Sequence, residues 1–301
     1  MLNYLARRVP QIVPTLLFAS MFAFIMLRLV PGDVTDVLAV EGGVSEEQKA
    51  QIRKDLGLDQ PVPIQYVQWV GHMVTGDFGR SYWTNVTVTR QLEHALPKTL
   101  QLTAVSLVIA LAIGLPLGIL AGAFKGSVFD YAGTILATLM ISVPTFAIGI
   151  VLLLVFAVWL QWLPATGSLI LPAIVLGVDI SGTFVRTLRT DIRAEMNSDY
   201  VRTALSKGLP QRTVLVRHVL PNSVTATLTI FGLVLGNLLG GTLIIESIFN
   251  WPGIGALTIL AVQNRDYPVV QTLVMLMTVM FVLSNLLVDL LNGLVDPRVR
   301  E

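Results

Sequence analysis

Six apolar stretches constrain this chain more than any other feature, because each is long enough to cross a bilayer. They run over 9–30, 99–124, 131–160, 169–188, 223–245 and 269–291. A crossing helix needs about 20 apolar residues, and inside lipid only helices or closed barrels satisfy their own backbone. Composition agrees: 54% of residues are hydrophobic, 13% are charged, and the mean hydropathy is +0.73. The expected fold is an all-α integral membrane protein with six transmembrane helices and a helical extracytoplasmic segment between the first two. The first stretch resembles a signal peptide, with Arg7 and Arg8 ahead of it. It is long enough to span, however, and no small-residue cleavage site follows, so it reads as a retained helix. Arg28, near its far end, is placed to snorkel toward headgroups. Pro144 removes a backbone hydrogen bond within 131–160 and is the expected kink point.

Basic residues set the orientation. With the N-terminus inside, the inner side holds Arg7, Arg8, Lys125, a cluster from Arg186 to Arg217, Arg298 and Arg300. Both termini are then cytoplasmic. The expected organisation is 1–30 for the N-terminus and first helix, 31–97 for the extracytoplasmic segment, 98–293 for a five-helix core with an inner loop at 189–222, and 294–301 for a cytoplasmic tail. In the outer segment Ser45 reads as an N-cap with Gln48 at the third helical position, and Ile52, Leu56 and Leu58 can form an apolar side. Pro61 and Pro63 break that helix, and a second over 64–74 brings Tyr66, Trp69, Val70 and Met73 near one face. This segment reads as a small lid packed on the bundle rather than an independent binding domain. Trp69, Tyr82 and Trp83 suit a headgroup interface.

Several chemistries are excluded. A net charge of +1, with the basic residues gathered in one loop, makes no case for nucleic acid. Cysteine is absent, so there is no disulfide framework and no thiolate site. The dipeptide Gly-Lys does not occur, which removes a Walker A phosphate loop. His72, His94 and His218 are widely spaced, and no serine nucleophile elbow appears. The chain is expected to be no enzyme and to hold no metal or cofactor itself. Glycines in 236–241 lie inside a span, where close helix packing is their ordinary role. Ionisable and polar groups in spans are costly and face a bundle interior or a watery path. Asp179, Asn237, Thr242 and Glu246, together with Pro144, are therefore candidates for a translocation path. A structural hydrogen bond remains the alternative for Asp179, while Asp289 and Asn292 read as structural.

The segment 199–222, DYVRTALSKGLPQRTVLVRHVLPN, lies between two spans. A short helix around 199–207 ends where Gly208 and Pro210 turn the chain, and a helix restarts over 212–220. Ala204 and Gly208 lie four apart, which leaves little side chain there and allows close approach of another surface. An ordinary basic inner loop is the alternative. Before it, Arg189 and Arg193, and Asp191 and Glu195, form like-charge pairs at i,i+4 that do not stabilise an exposed helix.

Arg202-Thr203-Ala204, Gly208 and Leu220-Pro221 match the spacing of the EAA loop in permeases of bacterial ATP-binding-cassette importers. Arg202 and Thr203 replace the first Glu and Ala of that pattern, and His218 replaces an apolar residue. Further segments resemble the dipeptide/oligopeptide/nickel branch of that family: 56–61, 76–81, 162–164, 246–255, 265–271 and 296–298. The resemblance implies a membrane subunit that forms half of a translocation path for peptides. Glutathione, nickel complexes or oligosaccharides are alternative cargoes, and a self-sufficient ion-coupled transporter is the competing reading. It further implies a second homologous permease subunit, two ATP-binding subunits holding ATP and Mg, an extracytoplasmic solute-binding protein, and location in a bacterial inner membrane. Asp199, Tyr200, Arg202, Thr203, Ala204, Lys207, Gly208, Leu209, Arg212 and Pro221 would form the coupling contact with an ATP-binding subunit. Gly208 would be its turn residue and Ala204 a close-contact residue.

Overall fold

The structure, a computed structural model, describes residues 2–29, 47, 53–54 and 59–295. The helix start at Ser45–Gln48, its apolar side at Ile52, Leu56 and Leu58, and the motif at 296–298 lie outside the described residues. The chain folds as helices α1 (Leu2–Leu29), α2 (Val62–Thr75), α3 (Val88–Ala123), α4 (Val128–Ser142), α5 (Thr145–Leu152) and α6 (Ile170–Met196). These are followed by α7 (Asp199–Ser206), α8 (Gln211–Val214), α9 (Leu220–Gly241), α10 (Leu243–Ile248), α11 (Ile254–Gln263) and α12 (Tyr267–Val295). Wider π turns continue α5 over Leu153–Trp159 and α8 over Leu215–Val219. Among the described residues, α3, α6 and α12 are each long and apolar enough to cross a membrane. Two bent pairs, Val128–Ser142 with Thr145–Trp159 and Gln211–Ser223 with Thr227–Gly240, bring the total to as many as five. The remaining apolar stretch lies in α1, over Ile12–Met26.

Local chemistry accounts for the breaks. Val143 is extended (φ −92°, ψ 128°), as a residue before proline prefers, and Pro144 caps α5. The two halves meet at 93°. The expected kink is thus a full break. The fifth apolar stretch, expected to run to 245, ends its helix at Gly241, and Thr242 separates it from α10. The second helix starts earlier than hydropathy indicates, at Val88 rather than 99, because Val88, Leu92 and Ala95 bury one side of its polar first turns.

The chain divides into two packed units, the first comprising 100–251 with 283–301. Within it, glycines let helices approach closely. A Cβ at Gly114, Gly118 or Gly122 of α3 would stand 2.7, 2.9 and 2.8 Å from the Cβ atoms of Phe184, Leu188 and Ile192 on α6. Three glycines at i,i+4 spacing thus receive three large residues at the same spacing, the small-residue packing of membrane helices. Gly118→Ile is expected to cost about 3 kcal/mol, the upper end for overpacking a filled core. Thermal melting in detergent reads the loss, and Leu188→Ala in the same chain should restore part of it. Gly232 of α9 similarly admits Val288 of α12. Gly240 has open space where a Cβ would stand, while Gly236 is buried. A core of Leu102, Leu171, Val175, Leu176, Val234, Leu238 and Phe249 joins α3, α6, α9 and α10.

The second unit comprises 2–99 with 252–282. Here Pro61 caps the start of α2, a proline lies in its first turn, and Gly76 caps its end in the left-handed region (φ 79°). Phe24 of α1 packs edge-on to Tyr66 at 5.2 Å and lies 5.6 Å from Trp69, and Ser20 Oγ shares a 2.7 Å hydrogen bond with Tyr66. Trp69 therefore contributes to this aromatic packing. The exposed Arg28 is held by protein: its guanidinium covers the Phe24 ring at 3.5 Å, bonds the Phe24 carbonyl at 3.2 Å and donates to Gln65. Two separate family-like motifs meet at Asp266, which accepts from the Ser81 hydroxyl and from the Tyr82 backbone N–H at 3.0 Å. Burial, with Asp266 beside it, pushes the Tyr82 phenol up to about 12.

Candidate functional site

The 199–221 loop is a free surface on a fixed base. Val201 of α7, Val214 of α8 and Val219 are fully buried against Leu188 and Ile192 of α6. These valines hold the loop, while Arg202, Thr203 and the run from Leu205 to Arg212 are exposed. Gly208 takes φ +83°, which side-chain-bearing residues rarely adopt, and that conformation stops α7. Asp199 and Arg202 pair on the exposed side at 3.6 Å. Tyr200 donates to Glu195 and receives the Asn222 amide at 3.0 Å, while that amide also reaches the His218 carbonyl at 2.9 Å. Partial burial and then Glu195 raise the Tyr200 phenol above its ordinary value, so it stays a donor. Pro221 is exposed in the first turn of α9. Ala204 is half-buried against the valine cluster at the end of α7.

The polar residues of the spans converge as well. A cavity of about 300 Å³ is lined by Thr145, Phe146, Leu176, Asp179, Ile180, Val234, Asn237, Leu238, Thr242, Ile244 and Ile245. Asp179, Asn237 and Thr242, from α6, α9 and the break after α9, therefore face one space. Pro144 and Glu246 are not among the lining residues. Pro144 acts one step back, by starting α5 so that Thr145 and Phe146 face the cavity. Glu246 is fully buried, and its carboxylate accepts the Thr242 hydroxyl at 2.9 Å, so it orients a wall residue.

The binding-protein-dependent transport system inner membrane component family matches residues 114–301, and its N-terminal region matches 1–103. This chain belongs to that family. The glutathione transport system permease protein GsiC of Salmonella typhi is 37% identical over 306 residues, spanning 100% of this chain and 99% of the relative. The di/tripeptide transport system permease protein DppB of Pseudomonas aeruginosa is 35% identical over 334 residues, with 100% and 99% covered. A probable peptide ABC transporter permease, y4tP of Sinorhizobium fredii, is 36% identical over 311 residues, with 99% of each covered. The chain is thus a multi-pass inner-membrane component of a multi-subunit transport system.

For a permease of this family, what positions the loop matters as much as the loop. Asp130, in the first turn of α4, is 5% exposed. It accepts from Arg189 Nε and from the Gly126 backbone N–H, each at 2.8 Å, and forms an ion pair with Arg193. The like-charge pair Arg189–Arg193 thereby gains its counter-ion from another helix. Arg193 stands one turn before the end of α6 at Met196, so the carboxylate ties the base of α7 to α4. Sequence reasoning missed Asp130; the available signal was the like-charge pair itself, which requires an anion nearby. Asn292 donates to Thr229 at 3.0 Å, in keeping with a structural role.

Proposed function

We propose that this chain is one of two permease subunits of an ATP-driven importer for short peptides of di- and tripeptide size, glutathione included. The exposed 202–212 surface docks an ATP-binding subunit at the cytoplasmic face, where both termini also lie. ATP and Mg reside on that subunit, and a solute-binding protein delivers cargo from the other side. The cavity at Asp179, Asn237 and Thr242 forms part of the path, completed by a second, homologous permease.

The observation carrying this reading is the loop's construction. Three buried valines fix a turn-ended helix that leaves Arg202, Thr203 and the stretch from Leu205 to Arg212, with Lys207, exposed, as a contact for a soluble partner requires. That the relatives are named as glutathione, di/tripeptide and probable peptide permeases supports the cargo class. The test is uptake of labelled trialanine by proteoliposomes holding the complex purified from its native membrane with its binding protein. Uptake that requires ATP inside the vesicle is expected. Uptake driven by an ion gradient with this chain alone would instead establish a self-sufficient transporter.

A further inference from the structure

Asp179 is the single ionisable group among the described residues that line the 300 Å³ cavity. No Lys, Arg or His lines it; the other polar walls are Thr145, Asn237 and Thr242, and the remainder is apolar. Thr145 is the hydrogen-bonding neighbour of the carboxylate and offers no charge. Asp179 is half-exposed at this cavity, in the middle of a helix apolar enough to span a membrane. A carboxylate cannot be left facing hydrocarbon, so this wall faces water or cargo. What the site lacks is a cation, surrounded by hydroxyl and amide groups able to take the remaining hydrogens of an ammonium.

We propose that Asp179 receives the free amino group of a peptide in transit, with Asn237 and Thr242 hydrogen-bonding beside it. A primary ammonium carries three N–H donors, and a carboxylate, an amide oxygen and a hydroxyl supply three acceptors. Apolar walls from Leu176, Ile180 and Val234 then accept small side chains without selecting among them. The proposal rests on the peptide-importer reading and gives it a chemical requirement, a free amino terminus.

Because the chain contains no cysteine, a single thiol reports on the cavity. Ile180→Cys places that thiol on the wall beside Asp179, and its labelling by a small maleimide is followed in the assembled complex without binding protein. Trialanine is expected to slow labelling at concentrations at least about tenfold lower than N-acetyl-trialanine needs, the difference in affinity that a hydrogen bond to a charged group supports. Adding Asp179→Asn should abolish that difference, and Asp179→Glu should retain part of it. Equal melting temperatures and equal subunit recovery on size-exclusion chromatography for the three complexes would show that they are assembled. Equal protection by both peptides, a difference that survives Asp179→Asn, or no protection by either would overturn the proposal. ATP-driven trialanine uptake by the unmodified complex is measured in parallel. If it fails, the peptide reading falls; if it persists while protection fails, only the role of Asp179 falls.

Discussion

Asp130→Ala is expected to destabilise the solubilised protein by about 3–5 kcal/mol, the usual effect of removing one partner from a buried ion pair. The size follows from what is left behind. Arg189 and Arg193 are only 26% and 23% exposed and sit on one side of α6, so without the carboxylate two like charges share a desolvated site. The Gly126 N–H loses its acceptor as well. The cycle that isolates this cause adds Arg189→Met and Arg193→Met to Asp130→Ala. Removing all three charges should return most of the stability, since a buried ion group is often replaceable by apolar residues of similar volume. A triple variant that melts no higher than Asp130→Ala would show that Asp130 acts by something other than this pairing. Because Arg193 lies in the last turn of α6, which leads directly into α7, milder Asp130→Asn should also lower the uptake obtained per ATP hydrolysed.

Gly208→Asp is expected to leave insertion and folding intact while reducing ATP-driven uptake at least about tenfold, the effect of somewhat over 1.4 kcal/mol from an intruding side chain in a close contact. Two features of the turn separate folding from docking. Nothing lies within 4 Å of a Cβ built at Gly208, so an added side chain meets no atom of its own chain. The left-handed conformation adds a backbone penalty of about 1–2 kcal/mol for most residues, and asparagine tolerates it best. Gly208→Asn should therefore fold near-normally and still impair uptake, whereas a purely conformational role would leave it close to wild type. Membrane content, melting temperature, ATPase rate and uptake, measured together, separate the two. A Gly208→Asp complex with full uptake would remove the loop from the coupling contact.

The readable parts of this molecule were written in local chemistry. Pro144 marks the break between α4 and α5, and Gly208 marks the end of α7, because proline and glycine act on their own backbone whatever surrounds them. Asp179, Asn237 and Thr242 were visible because polar groups in apolar spans must converge on shared space, and they line one cavity. The less readable parts depend on pairing across the chain. Asp130 and Arg189 are separated by 59 positions, and nothing beside Asp130 reveals its partner. Gly114, Gly118 and Gly122 do carry a readable i,i+4 pattern, but not the identity of the large residues that fill it. The start of α3 at Val88 lay hidden because polar residues interrupt the hydropathy there, although Val88, Leu92 and Ala95 keep helical spacing. Glu246 looked like a path residue from its position at the end of a span. Its burial against Thr242 depends on the break after α9, which hydropathy does not register.

The most direct test of the central claim, that the 199–221 loop grips an energy-supplying subunit, uses the absence of native cysteine. Leu205→Cys puts a unique thiol on the exposed side of α7. Native membranes carrying that variant are treated with a short thiol-to-amine cross-linker, with and without ATP, and the adducts are identified by mass spectrometry. The expected adduct joins this chain to an ATP-binding subunit, in a yield that changes when ATP is present. Reproducible labelling of the thiol with no protein adduct, or with adducts only to a second copy of this chain, would contradict the coupling role.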